Sequence, residues 1–311
     1  MNLQHLIEQF ISFQRSLGSS FVSDAAILRA FGRSLGSRAS VAGVQVRHVD
    51  AFLGKARPVT RTWFTKLACL RCFFQYALSR GYIAKMPLPL TTPKRPPVFA
   101  PYIYTQQEIR RLLQVVDVHP RSVYLGPTTI RTMILLFYGS ALRLREATNL
   151  TRADVDLHRS ILTIRNTKFG KTRLVPVGPQ LRQVLAQYDR SLPNKGQPAD
   201  TPFFVTTAAE PVKPNTFEYT FRILCDYAGI RRTDTREQPR IHDLRHTAAV
   251  HRLTFWYQRG ADVQRLLHHL SVYLGHVHLR HTQVYLSMTP ELLHEASRRF
   301  DSYARKESGH A

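Results

Sequence analysis

Six of the fifteen residues from Pro87 to Pro101 are proline. Proline lacks the backbone N–H and fixes φ, so this stretch can neither continue a helix nor pair as a central strand. It reads as an extended linker that divides the 311-residue chain into two pieces of ordinary domain size. Residues 1–86 and 102–311 are expected to fold as separate domains joined by 87–101. Lys94 and Arg95 sit inside the linker, where they could track a phosphate backbone; a plain solvated linker is the alternative.

The charge says what such a chain meets. Lys and Arg total 44 against 21 acids, a formal charge of +23, while the 43% hydrophobic content is ordinary for a globular protein and excludes a disordered chain. Residues 1–100 hold 14 of the basic residues and only Glu8, Asp24 and Asp50 as acids. A polyanion is the implied partner, either nucleic acid or an anionic membrane. No apolar run approaches the roughly 18 to 20 residues that span a bilayer. The opening MNLQHLIEQFISFQRSL mixes polar residues into its apolar stretch and has no small-residue cleavage site, so it does not read as a secretory signal. The expected location is the cytoplasm, on the nucleoid, without a membrane partner. Cys69, Cys72 and Cys225 are sparse and odd in number, and are expected to be reduced core residues.

Helical spacing predicts four helices in the first piece. One runs through Leu3, Leu6, Ile7, Phe10, Phe13 and Leu17, and a second follows Asp24 as its N-cap. A third passes Val46, Val49, Phe52 and Leu53, and a fourth extends from about Pro58 to a C-terminal stop at Gly81. Their aromatics are expected in the core. In the second piece, Thr105 and Glu108 form a Thr-x-x-Glu capping box at a helix start, and Thr129–Tyr138 is apolar nearly all round and so buried. SILTIR and TRLVPV, separated by NTKFGK, read as a β-hairpin. Further helices are expected near 179–189, 215–228, 242–257 and 290–300. The fold class is therefore mainly α with a small antiparallel β-sheet.

A protein that cuts a phosphodiester needs cationic donors for the non-bridging oxygens, a base for the nucleophile and an acid for the leaving oxygen. Metal-dependent nucleases bring acidic clusters to this task, and the sequence has none. Its basic residues instead fall into an order: Arg143 in ALRLRE, Lys168 in NTKFGK, His242 and Arg245 in HDLRH, His276 in YLGH, and Tyr285 in HTQVYL, nine residues after His276. In that order and spacing the chain resembles the tyrosine recombinases, the phage-integrase superfamily, over about residues 102–300. The first 100 residues match such proteins only in size, helicity, charge and position, as a helical DNA-binding domain would. Two departures stand out. Ala141 and Arg145 replace a Gly and a small residue of the family's Arg box, and sixteen residues separate Gly260 from His276, more than is usual. The motif Leu-Ser-x-Tyr-Leu-Gly-His, with Thr289–Glu291 after the tyrosine, resembles a subgroup carried by mobile elements.

The resemblance implies that Tyr285 attacks the scissile phosphorus to give a 3′-phosphotyrosine, with Lys168 protonating the 5′ oxygen. Arg143, Arg245 and His276 would hold the phosphoryl oxygens, and His242 would take the phenol proton. No cofactor and no metal are implied. Partners would be double-stranded DNA with inverted-repeat sites and further copies of the chain, a tetramer on DNA from a monomer or weak oligomer in solution. The helix after Tyr285, with Leu292, Leu293, Ala296 and Phe300, is expected to dock on a neighbouring protomer or on its own domain. Lys171 is expected to contact the DNA backbone. Two alternatives are a type IB topoisomerase-like relaxing enzyme and a non-catalytic DNA-binding regulator of the same fold.

Overall fold

Within Met1–Phe99, the first of two units into which the chain divides, four helices enclose one aromatic core. The computed structural model describes residues 1–54, 59–96, 100–118, 124–165, 172–192, 198–234, 238–287, 292–298 and 300. The helices are α1 (Leu3–Ser16), α2 (Val22–Leu35), α3 (Val46–Leu53) and α4 (Arg61–Ser79). Phe10, Phe31, Phe73 and Phe74 are fully buried. Phe10 meets Phe73 edge-on at 5.7 Å and Phe31 meets Phe74 at 6.0 Å, the geometry the ring quadrupole favours. Periodicity misplaced three details. Asp24 lies in the first turn of α2, where its charge faces the positive helix end, while the N-cap is Phe21 in a left-handed conformation. α4 starts only at Arg61; Pro58 lies outside the described residues. Cys69 is buried but Cys72 is exposed, because the stripe formed by Leu70, Phe73, Phe74 and Ala77 points to the opposite side of α4.

The second unit, Ala100–Ala311, begins with α5 (Gln106–Val118), opened by the expected capping box: Thr105 N–H donates to Glu108 Oε2 at 2.8 Å and Glu108 N–H donates to Thr105 Oγ1 at 3.1 Å. The apolar helix α6 (Pro127–Ser140) is buried among α5, α8 (Pro179–Ser191) and α10 (Ile241–Gln258). The short α7 (Leu144–Thr148) follows α6, and α9 (Pro214–Tyr227) precedes α10. The sheet has three antiparallel strands in the order β1 (Val155–Asp156), β2 (Ile161–Ile164), β3 (Arg173–Pro176), and Ile164 pairs with Arg173. Sequence periodicity shows only β2 and β3, since a two-residue strand has no period to detect. The segment 166–171, with Lys168 and Lys171, lies outside the described residues.

α11 (Val263–Leu274) and α12 (Arg280–Gln283) complete the unit. α11 is a helix that the sequence reading does not identify, started by the Asp262 carboxylate accepting from Arg265 N–H. Together α10 and α11 hold a second, smaller core of Ala249, Leu253, Leu267, Leu270 and Leu274, into which Tyr285 and Leu292 also pack. The helical segment at 292–298 thus buries Leu292 on its own unit and leaves Leu293 and Phe300 exposed. No helix among the described residues is long and apolar enough to cross a membrane.

Ala141 ends α6 with φ 52° and ψ 31°, a left-handed conformation that costs an L-residue roughly 1–2 kcal/mol. Set against the greater unfolded-state freedom of glycine, Ala141→Gly should raise stability by roughly 0.5–1 kcal/mol in urea unfolding. A destabilised variant would show that this turn carries no such strain.

Candidate active site

The left-handed turn at Ala141 and a second one at Gly275, φ 65°, bring two helix ends to one point. Helix C-termini leave carbonyls unpaired and carry partial negative charge. Arg245, on the buried side of α10 and only 2% exposed, donates from Nη1 to Ala141 O at the end of α6 and from Nη2 to Leu274 O at the end of α11. Burial, then the charge of Arg143, pulls its guanidinium down to about 10, so it remains cationic at neutral pH.

Arg143 sits at the N-cap of α7, directly after the Ala141 turn. Its Nη1 donates to Glu146 Oε1 at 2.7 Å, its backbone N–H to Glu146 Oε2 at 2.9 Å, and its Nη2 to Gly275 O at 3.2 Å. Glu146 also receives a fork from Arg173 of β3, at 2.9 Å from Nη1 and 2.7 Å from Nη2. Burial alone would raise the Glu146 carboxyl; the hydrogen bonds and charges of Arg173 and Arg143 outweigh it and hold the pKa at about 2.

His276 follows Gly275, and its backbone N–H returns to Ser271 O at 3.0 Å. Its Nδ1 lies 2.8 Å from Thr282 Oγ1 of α12. One helical turn later comes Tyr285, 2% exposed, its ring nearly parallel to that of His276 with centroids 6.2 Å apart. The Tyr285 hydroxyl lies 3.1 Å from His246 Nδ1, and the His246 ring meets that of His242 at 4.9 Å. His242 stands exposed at the rim of the site.

The structure thus brings Arg143, His242, Arg245, His276 and Tyr285 together. Lys168 and Lys171 lie outside the described residues. Lys94 and Arg95 belong to the other unit, where both are exposed. There Arg95 covers the Phe64 ring at 5.5 Å and, with Arg61, lines a groove of about 790 Å³. Sequence reasoning missed His246 and Arg173. The one signal for His246 was its position four residues after His242, which puts both rings on one helix face.

Burial and the surrounding cations act on the imidazoles and on the phenol. Burial, then His242 and Arg245, lower His246 to about 3; burial, then Arg245 and Arg143, lower His276 to about 4. The packing around His242, followed by the charge of Arg245, lowers it too. Burial raises Tyr285, opposed by the charge and hydrogen bond of Arg245. At neutral pH the site therefore holds neutral imidazoles, a protonated phenol and an excess of guanidinium charge, an arrangement shaped for an anion. Among the described residues, no three His, Cys, Asp or Glu side chains stand together so as to hold a metal ion.

The chain belongs to the phage integrase family, whose pattern matches residues 103–291, and it is a tyrosine-type site-specific recombinase. Protein y4rB of Sinorhizobium fredii, named as an integrase/recombinase, is 38% identical over 244 residues, 77% of this chain and 78% of its own length. The tyrosine recombinase XerC of Chlorobaculum tepidum is 30% identical over 280 residues, covering 81% of this chain and 77% of its own. The Tn1549 transposon integrase, solved with a circular intermediate DNA, shares the fold with a TM-score of 0.70 at 15% identity, covering 96% of this chain and 99% of that one.

Glu146, 9% exposed, gives this site a pH signature. A pKa held at about 2 against an ordinary 4.5 corresponds to roughly 3 kcal/mol. Because the folded-state pKa is depressed, that stability is complete above 4.5 and is lost as pH falls from there through about 2. Glu146→Gln should therefore lose roughly 2–3 kcal/mol at neutral pH, with the gap to wild type narrowing in urea titrations below pH 4.5. A gap independent of pH would mean that the ionised carboxylate is not what the arginines hold.

Proposed function

We propose that Tyr285 is the nucleophile of a transesterification that attaches the protein to a 3′ phosphate of DNA and frees a 5′ hydroxyl. The observation that carries this reading is the placement of the Tyr285 hydroxyl, 3.1 Å from a neutral imidazole and beside the guanidinium of Arg245. A phenol of ordinary pKa is only about 0.1% ionised at pH 7, and burial here makes ionisation harder. Burial and, after it, the guanidinium excess lower the imidazoles; an entering phosphodiester anion would offset the second, so the histidines become better proton acceptors once DNA is seated. The group touching the hydroxyl is His246, and His242, in contact with its ring, takes the proton onward. Arg143, Arg245 and His276 hold the phosphoryl oxygens as charge develops on them, and Lys168 protonates the leaving 5′ oxygen.

The phosphodiester energy stays in the phosphotyrosine bond, so a second 5′ hydroxyl reseals the strand without an external energy source. The same reading assigns the helical first unit to duplex binding, with Lys94, Arg95 and Lys171 as backbone contacts. It also implies synapsis as a tetramer on inverted-repeat sites, with the exposed Leu293 and Phe300 as contacts to a neighbouring copy, from a mobile element acting on the nucleoid in the cytoplasm.

On a nicked suicide substrate carrying a site selected from random duplexes, wild-type protein should form an SDS-resistant complex through a 3′ phosphate, and Tyr285→Phe should form none. A complex that persists in Tyr285→Phe and vanishes in Tyr273→Phe refutes the assignment. Cleavage should persist in EDTA, since the charge stabilisation proposed here comes from side chains.

A second test separates the two lysines. With a 5′-bridging phosphorothiolate the leaving thiolate barely needs a proton. Lys168→Ala should be slower on normal DNA by about 10²- to 10⁴-fold and largely recover on the sulfur substrate. Lys171→Ala should show weaker binding and a shallower salt slope without sulfur rescue. Rescue that follows Lys171 would exchange the two roles.

A further inference from the structure

We infer that Arg173 is a positioning residue for strand cleavage: from the first position of β3 it fixes Glu146, and through Glu146 it aims Arg143 at the scissile phosphate. The inference rests on the phosphotyrosine reading above and adds a residue to it. A carboxylate offers about four acceptor positions, and all four on Glu146 are in use. Oε1 takes Arg143 Nη1 and Arg173 Nη1, and Oε2 takes the Arg143 backbone N–H and Arg173 Nη2. Arg143 is 39% exposed along its side chain, and its other hydrogen bond, to Gly275 O, is 3.2 Å long. Without the fork from Arg173, the carboxylate is free to turn, and the phosphate-facing guanidinium turns with it.

One further side-chain contact bears on why this position is arginine. Its guanidinium lies flat against Gly275: a Cβ there would stand 3.0 Å from Arg173 Cζ and Nη1. The turn before His276 is therefore glycine for space as well as for its positive φ. Arg173 is only 13% exposed, so its charge is not offered to the DNA backbone. It also pairs with Ile164 across the hairpin, and Lys168 falls between those two positions in the chain. One side chain thus joins the hairpin of the proposed general acid to the arginine box and to the histidine turn. A lysine keeps the charge but cannot bridge both carboxylate oxygens.

The test measures formation of the covalent complex by the full-length chain on the nicked suicide substrate at saturating DNA, with binding measured separately. Arg173→Ala should slow the first-order step by about 10- to 100-fold with Kd within about twofold, and Arg173→Lys should recover little of the rate. A pH profile supplies the readout that a merely structural role would not move. Glu146 is faced by Arg143 on its own turn, Arg173 from β3 and Arg245 from α10. With Arg173 gone, burial raises the carboxyl against only the other two. Cleavage by Arg173→Ala should therefore decline with falling pH at a pH where wild type is flat, and Arg173→Ala/Glu146→Gln should lack that decline.

A wild-type rate in Arg173→Ala overturns the inference, as does a slow variant with the wild-type pH profile or one defective only in affinity. If Arg173→Ala fails to fold, a wild-type rate in Arg173→Lys overturns it equally. Wild-type protein that forms no complex on this substrate overturns the nucleophile assignment first and the role of Arg173 with it.

Discussion

The guanidinium of Arg245 is the cation around which the second unit closes. Taking a lone charge out of water costs several kcal/mol, and the fold offsets this with two acceptors that would otherwise go unsatisfied, the carbonyls at the ends of α6 and α11. Each carbonyl is available because the chain turns left-handed at or next to it, at Ala141 and at Gly275. Those same turns launch Arg143 in one direction and His276 in the other. The buried charge therefore ties together three helices and the two turns from which Arg143 and His276 start.

Chemistry follows from the excess of positive charge that this arrangement leaves. Glu146 neutralises only one of its two arginine partners, and Arg245 is held by two neutral carbonyls and a protonated phenol. Burial first, and the neighbouring charge after it, lower His242, His246 and His276 and leave them unprotonated at neutral pH. On the proposed reading a phosphodiester supplies the missing negative charge, which would couple proton uptake by the imidazoles to DNA binding. The same reading makes reactivity at Tyr285 conditional on the substrate. Its hydroxyl otherwise stays buried against His246.

Much of this was readable in the residues, and most of the exceptions have physical causes. The capping box at Thr105 and Glu108 and the apolar run in α6 are local signals, and both elements form where they point. His242, Arg245, His276 and Tyr285 were grouped by their order and spacing, among them a nine-residue interval, taken together with the resemblance to the tyrosine recombinases. α11 keeps an apolar face at Val263, Leu267, Leu270 and Leu274 at helical spacing, a legible signal that went unread, whereas β1 escaped because two residues have no period. His246 and Arg173 escaped for another reason: their partners, a phenol 39 residues away and a carboxylate 27 residues away, are set by tertiary packing. The carbonyls that hold Arg245 are backbone atoms, which no residue type advertises.

The claim that the buried phenol is the group that carries DNA is tested most directly by locating the bond itself. Protein trapped on a suicide substrate, digested with trypsin and nuclease and sequenced by mass spectrometry, should show the nucleotide phosphate on Tyr285, in the peptide that begins at His281. A phosphate on Tyr273, Tyr257 or a serine would contradict the account, because the proposed attack depends on the imidazole contact and the neighbouring guanidinium that Tyr285 has.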